Sequence, residues 1–356
     1  MRIHVGHIAS FLLITCCGVA VADWNPIVLN GIKWTAPNQD VQSIQYTTSQ
    51  GILRIPVKYY GGVDSNVDGK IEEEDILQFT KWVEQYIPIN YDGPVVMDYE
   101  KPWWKELRRE TITKDRLDAL MEPYVKGLKV ARTLRPNAKW GYYGIPTRRN
   151  TSKNWLDQGH SLEPIFSNSQ ALFPAIYDCN RGADRNKEIG NQITTSLKQA
   201  AGRMPVYAFV NPRYCGEGGD RSLFVPDELF LQRANTALKS FWIDDQGKQH
   251  RIKGLVLWDA YGYTPREEWG ELDEIHRHYF ELLQALVSAW SEAMQGTDAD
   301  IIVAPESYAD SQQGLPEPVN SGIMLDTPQD DQTLKNGRLK DNRVPSERLP
   351  NEEVPR

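Results

Sequence analysis

The segment VVMDYE, residues 95–100, places two carboxylates two positions apart. Along a strand alternate side chains share a face, so Asp98 and Glu100 are expected to point one way and Tyr99 the other. Two carboxyls this close repel, which drives one of them to keep its proton near neutral pH. A protonated Glu at a cavity edge is a general acid suited to a leaving oxygen such as that of a glycosidic bond. The spacing also restricts mechanism. A retaining acid–nucleophile pair stands about 5 Å apart and an inverting pair roughly 6.5 Å or more, on opposite sides of the scissile bond. Positions i and i+2 of one strand approach from the same side. They suit Glu100 as acid and then base, with Asp98 orienting a substrate acetamido group that itself attacks the anomeric carbon. Glu100 opposed by Asp259 across the fold is an alternative that needs no acetamido group. A catalytically silent carbohydrate-binding fold is another. The plainest reading of the pair is a solvated strand end, or a core pair neutralised by Arg148.

Aromatic residues recur near the same apparent strand ends. KPWW brings Trp103 and Trp104 directly after Glu100, WGYY ends in Tyr143, PAIYD carries Tyr177 followed by Asp178, and LWDAY carries Trp258 followed by Asp259. Flat apolar faces wall sugar subsites, and tyrosine hydroxyls hold sugar hydroxyls. Each alone reads as packing. Acids and aromatics at four strand ends together favour a sugar-binding cleft lined by Tyr143, Tyr177, Trp258, Trp103, Trp104, Asp178, Asp259 and Arg148.

Positioning them requires strands that end on one rim. Short apolar runs (WNPIVLNGIKWTAP, GILRIPVKYYG, GPVVMDYE, AKWGYYGIP, ALFPAIYD, MPVYAFVNP, IKGLVLWDAY) alternate with helical spacings, the last over about 269–294. That order predicts parallel strands joined by crossover helices. Seven strands point to an α/β fold, a distorted TIM-like barrel of seven or eight strands occupying residues 23–294, whose sites form at the strand C-termini. An open doubly wound sheet is the second choice, without the glycine-rich dinucleotide fingerprint that often accompanies it.

With 356 residues, 40% of them hydrophobic, the chain can build one large core. Its net charge of -8 gives no basic face for nucleic acid. The N-terminus has a basic start, an apolar run over about 8–21 and small residues at Ala20 and Ala22, predicting a signal peptide over 1–22 and a secreted or periplasmic protein with no stable membrane span. Lipid anchoring through Cys16 or Cys17 ranks second, since neither follows a small residue. The mature chain keeps Cys179 and Cys215, which an oxidising compartment could join as a disulfide. Residues 295–356 are polar and Pro-rich and read as a disordered tail.

Residues 64–75, DSNVDGKIEEED, carry oxygen donors at calcium-loop positions: Asp64, Asn66, Asp68, the Lys70 carbonyl, Glu72 and Asp75, with Gly69 at the turn. The loop resembles the single calcium loops of dockerin modules and EF-hands, with Asp in place of Glu at the last position. It is expected to hold a structural Ca2+ ion, with an acidic solvated loop capping a helix as the alternative.

Across residues 24–290, the segments WTAP, YIPINYDGPVVMDYEKPWW, TLRPNAKWGYYGIP, ALFPAIYD, PVYAFVNPRY and GLVLWDAY resemble, in wording and order, the hyaluronidase family of glycoside hydrolases. The resemblance implies a distorted barrel and retaining, acetamido-assisted hydrolysis of β-linked N-acetylhexosaminides within a polysaccharide, needing no cofactor for catalysis. It implies Glu100 as proton donor, Asp98 as the acetamido-positioning acid, Tyr143 and Tyr177 as substrate-holding tyrosines and Trp258 as the wall of the reacting subsite. The chain departs from the family in PTRRNTSKNW, which lacks the usual P-x-C-Y-N segment, and in Asp178 and Asp259. These departures leave hyaluronan and a neutral or differently charged N-acetylhexosamine polymer both open as substrates.

Overall fold

The computed structural model describes residues 24–33, 42–100, 103–177, 185–214 and 223–295. All lie in the first of two units, Met1–Pro305 and Glu306–Arg356. The expected signal peptide, Asp178, Cys179, Cys215 and residues 296–356 of the expected tail fall outside the described residues.

The strands are β1 (Ile27–Asn30), β2 (Leu53–Arg54), β3 (Val57–Lys58), β4 (Pro94–Met97), β5 (Lys139–Tyr142), β6 (Tyr207–Val210), β7 (Phe241–Ile243), β8 (Gln249–Arg251) and β9 (Gly254–Leu257). The helices are α1 (Gln42–Ser49), α2 (Glu73–Tyr86), α3 (Trp104–Leu107), α4 (Lys114–Leu134), α5 (Lys153–Asp157), α6 (Glu163–Phe166), α7 (Asn186–Ala200), α8 (Asp227–Lys239) and α9 (Trp269–Gln295). One parallel sheet runs β2-β1-β9-β6 and another β3-β4-β5, while β7 and β8 form an antiparallel hairpin. The architecture is thus mixed α/β with parallel strands and intervening helices. Among the described residues no helix is long and apolar enough to cross a membrane.

The expected barrel is not closed by a continuous ladder, and two prolines explain where it opens. Proline has no N–H to give to a neighbouring strand. Pro56 divides the run read as a single strand into β2, which pairs with β1, and β3, which pairs with β4. Pro174 interrupts ALFPAIYD, which makes only isolated bridges: Tyr143 with Phe173, Leu172 with Val206 and Ala175 with Phe209.

The long helices form where the apolar spacing requires. Thr113 caps α4 by accepting from the Arg116 backbone N–H at 3.3 Å, and Leu117, Leu120, Met121, Tyr124, Leu128 and Ala131 form its buried stripe. In α2 the acidic run opens the helix: Glu73, Glu74 and Asp75 occupy the first turn, where the helix dipole favours negative charge, and Asp75 accepts from the Glu72 N–H at 2.9 Å.

The core has two layers. Val28, Val95, Met97, Trp140, Tyr142, Ala208, Leu255 and Leu257 pack outward with the helices. Leu29, Ile55, Val96, Phe173, Phe209 and Val256, drawn from both sheets, pack on one another within. Strand alternation sorts them, and each fully buried aliphatic or Phe side chain contributes about 1.5–3 kcal/mol. The same alternation, continued past each strand end, decides which side chains reach the inner rim.

Candidate active site

Beyond β4 the parity of Val96 passes to Asp98 and Glu100, and that of Val95 and Met97 passes to Tyr99. Tyr99 is buried outward, its hydroxyl hydrogen-bonded to the Asp64 carboxylate and accepting from Trp103 Nε1 at 2.8 Å. Asp98 and Glu100 are half-buried on the other face and hydrogen-bond each other through their side chains. Burial pushes the Asp98 carboxyl up to about 6, against the Lys33 ammonium and the Glu100 hydrogen bond, which both favour its charged form. The backbone is pinned on both sides: Asp98 N–H donates to the Lys58 carbonyl at 2.9 Å, and Gly61 N–H to the Asp98 carbonyl at 3.0 Å.

Three aromatic side chains meet over the inner layer. Tyr177 stacks on Trp258 with ring centroids 6.0 Å apart and planes 16° from parallel. Tyr143 lies 6.0 Å from Tyr177 and 6.5 Å from Trp258. Tyr143 rests edge-on against Phe209 at 5.2 Å, a floor supplied by the inner core. Gly31 makes room for this wall: a Cβ there would come within 2.8 Å of Val256 Cγ1 and 3.6 Å of Trp258 Cδ1. Arg185 donates to the Tyr177 carbonyl.

The two tryptophans after Glu100 separate. Trp104 lies 6.1 Å from Tyr143 and donates its backbone N–H to the Glu100 carbonyl at 2.8 Å, so it extends the aromatic wall. Trp103, expected at the substrate, instead packs on the loop before α2. A Cβ on Gly69 would meet its ring at 2.6 Å, and its indole N–H is bound to Tyr99.

Asp259 is likewise not a rim residue. It takes the outward parity of Leu255 and Leu257, is fully buried, and accepts from Arg213 Nε at 2.7 Å and His276 Nε2 at 2.9 Å. A charge that is buried and paired in this way is part of the scaffold. Arg148 neutralises neither acid of the pair: it is 52% exposed and bound to Glu188 at 2.7 Å.

Three site residues escaped sequence reasoning. Lys33 continues the inner parity of Ile27 and Leu29, and Tyr59 that of Ile55 and Val57. The Tyr59 hydroxyl accepts from Trp258 Nε1 at 3.1 Å, and burial pushes its ionisation up. Tyr263 stands edge-on to Trp258 at 6.1 Å. A Tyr pair at the end of VKYYG was a signal of the same kind as WGYY; a lone lysine after β1 carried none.

The loop 64–75 folds as a tight turn with Gly69 at φ +85. Asp64 accepts from Asp68 N–H at 3.2 Å and Gly69 N–H at 2.8 Å, Asn66 from Asp68 N–H at 3.1 Å, and Asp68 from Lys70 N–H at 2.8 Å. Asp75 accepts from Ser65 N–H at 3.1 Å as well as capping α2. These donors are all oxygen, the kind a hard cation takes. Among the described residues no three His, Cys, Asp or Glu side chains gather into a metal-holding group.

No protein-family model matches the chain. It is 33% identical over 90 residues to hyaluronidase-1 of Mus musculus, a match covering 22% of this chain and 20% of that protein. It is 24% identical over 178 residues to hyaluronidase of Apis mellifera, covering 46% and 44% respectively. The solved structure of bee venom hyaluronidase in complex with a hyaluronic acid tetramer aligns with a TM-score of 0.47 at 14% identity, covering 72% of this chain and 98% of that one. The chain thus spans between a fifth and just over half of the length of the curated relatives it matches.

Proposed function

We propose that this protein is a glycoside hydrolase that cleaves β-N-acetylhexosaminide linkages within a polysaccharide, with retention and with the substrate's acetamido group as nucleophile. The observation that carries the reading is the acid pair at the end of β4: Asp98 and Glu100 half-buried and hydrogen-bonded side by side on the inner face, with the Asp98 carboxyl pushed up by burial. The similarity to hyaluronidases supports the substrate class.

In this reading Glu100 gives its proton to the leaving oxygen and later removes one from the attacking water. Asp98, an acceptor, holds the acetamido N–H and stabilises the positive charge that grows as the acetamido oxygen closes on the anomeric carbon. Trp258 and Tyr177 wall the reacting sugar, Tyr143 contacts it from the side, and Trp104 continues the wall. Nothing in these steps requires a cofactor. The burial of Asp259 in an ion pair removes the support for an opposed-carboxylate mechanism. Export, by way of the N-terminal signal, belongs to the same proposal.

A thiazoline that mimics the cyclised acetamido intermediate tests the mechanism. It is expected to inhibit competitively, and the first product is expected to be the β-anomer by NMR. Cleavage with inversion, or turnover of a substrate lacking the acetamido group at an equal rate, contradicts it.

A further inference from the structure

We propose that Tyr60 is the platform of a further sugar subsite beside the reacting one, where the pyranose ring of a neighbouring unit of the same polysaccharide stacks on its exposed aromatic ring. The identity of the ligand rests on the glycosidase reading above; the placement of the ring does not.

Strict alternation past the end of β3 would send Tyr60 to the side opposite Tyr59. The backbone turns instead: Tyr60 takes the left-handed region at φ 59, followed by Gly61 at φ 89 and Gly62 at φ 63. A tyrosine is uncommon there, and such a conformation persists where its surroundings hold it. Here they do. Gly61 N–H donates to the Asp98 carbonyl at 3.0 Å, and the Gly61 carbonyl accepts from Asp64 N–H at 3.1 Å. A Cβ on Gly61 would come within 1.9 Å of the Asp64 carbonyl oxygen, so the turn is packed too closely for a side chain at that position. The Tyr60 side chain is held as well. Its hydroxyl accepts from Lys33 Nζ at 3.0 Å, and the same ammonium lies 4.5 Å from the centroid of Tyr60 and 4.3 Å from that of Tyr59. Both rings are electron-rich and attract a cation. The two tyrosines thus end on one side, with ring centroids 6.4 Å apart.

That side continues the aromatic wall. Tyr177 stacks on Trp258, and Trp258 Nε1 donates to the Tyr59 hydroxyl at 3.1 Å. The rings therefore follow one another from Tyr177 through Trp258 and Tyr59 to Tyr60. On the other flank, the bond from Gly61 to the Asp98 carbonyl ties the residue next to Tyr60 to the acid pair. Tyr177, Trp258 and Tyr59 are half-buried, whereas Tyr60 is 75% exposed and forms the open end of the row. A single exposed apolar side chain needs no function of its own. This one is kept in place by an uncommon backbone and by a lysine that would otherwise extend into water. A polysaccharide presents one ring after another, so a chain seated with one sugar on Trp258 meets Tyr60 with a later one. An ammonium has three N–H donors, and Lys33, with one on Tyr60, offers its others to oxygens of that sugar.

Chain length is the variable that tests this. Binding of N-acetylglucosamine oligomers and of hyaluronan oligosaccharides, from di- to octasaccharides, is measured by calorimetry on the full-length protein. In wild type the affinity for at least one series is expected to climb with length as an added unit reaches Tyr60. Tyr60→Gly suits the left-handed backbone and removes the ring. It is expected to bind the longer oligomers about five-fold more weakly, the scale of covering one ring face, to bind the shortest bound oligomer as wild type does, and to melt at the wild-type temperature. Tyr60→Asn, also tolerant of this backbone, is the second variant should glycine loosen the turn, and Tyr60→Phe, which keeps the ring, is expected to keep the gain with length. A folded variant without the ring that binds every length as wild type does overturns the inference. So does a loss equal at every length, and so does a wild type that binds neither series. If the length-dependent loss appears while wild type cleaves no oligomer, the subsite stands and the glycosidase reading falls. If wild type cleaves them and Tyr60→Gly binds every length unchanged, the reverse holds.

Discussion

Trp258 donates its indole N–H to the hydroxyl of Tyr59 at 3.1 Å, so a side chain from the end of β9 is tied to one from the end of β3. The two strands belong to different parallel sheets. At the height of the acid pair this hydrogen bond spans the two sheets, and it sets the angle of the ring that stacks on Tyr177.

Replacing Trp258 with Phe keeps an aromatic face and removes the donor. A hydrogen bond of this kind contributes about 1 kcal/mol. KM for the polysaccharide is expected to rise roughly five-fold with kcat reduced less. Equal loss in kcat with KM unchanged would place Trp258 in the transition state alone and contradict its role as a subsite wall.

Asp98 stands in the fold at a cost. Its carboxyl is raised from 3.8 to about 6, so it is neutral in both folded and unfolded chains below pH 3.8 and carries no penalty there. The penalty grows as pH rises from 3.8 to 6 and is complete above 6, reaching about 3 kcal/mol. Asp98→Asn should therefore be more stable than wild type at pH 7.5, by up to that amount, and nearly equal to it at pH 4, while losing activity. Denaturant melts at the two pH values check this; a variant less stable at pH 7.5 contradicts it.

The inner half of the site was legible in the sequence because alternation is strict within a strand. VVMDYE placed Asp98 and Glu100 together and Tyr99 apart, and the structure keeps that arrangement. The same rule applied to LWDAY would have set Asp259 opposite Trp258, yet its acidity suggested the rim, and its partners Arg213 and His276 come from distant segments that no local pattern reveals. Trp103 and Trp104, adjacent at the start of a helical turn, diverge because α3 is not a strand. The parallel strands were readable from apolar runs, whereas the antiparallel β7–β8 hairpin was not, and the breaks in the ladder depended on weighing Pro56 and Pro174, both visible in the sequence. Lys33 became informative only when its ammonium was found between two rings contributed by another strand.

Asp259 anchors a buried charge network beneath Trp258. Arg213 is 2% exposed and also donates to Thr264 Oγ1 at 2.7 Å. Asp259→Asn keeps the shape and removes the counter-charge, leaving a buried guanidinium without it. A loss of about 3–5 kcal/mol is expected in urea unfolding. A change below about 1 kcal/mol would mean the pair is solvated like a surface bridge.

For residues 64–75 we propose a structural calcium ion, supported by the donor spacing and the turn at Gly69. Adding Ca2+ is expected to raise Tm by several degrees, and Asp68→Ala, which removes a donor but leaves the buried Asp64–Tyr99 contact, should abolish the rise. Identical melting with Ca2+ and with chelator would mean that the loop is closed by its own hydrogen bonds.

The most direct measurement is chain cleavage of N-acetylhexosamine polymers, charged and neutral, by wild type and by Glu100→Gln, followed by reducing-end release. Wild type is expected to cleave at least one of them with a bell-shaped pH profile, and Glu100→Gln to lose at least 100-fold in kcat, the lower end of a general acid's contribution of about 10²–10⁴, while still binding the polymer. Binding without turnover by wild type, or full activity in Glu100→Gln, would contradict the assignment.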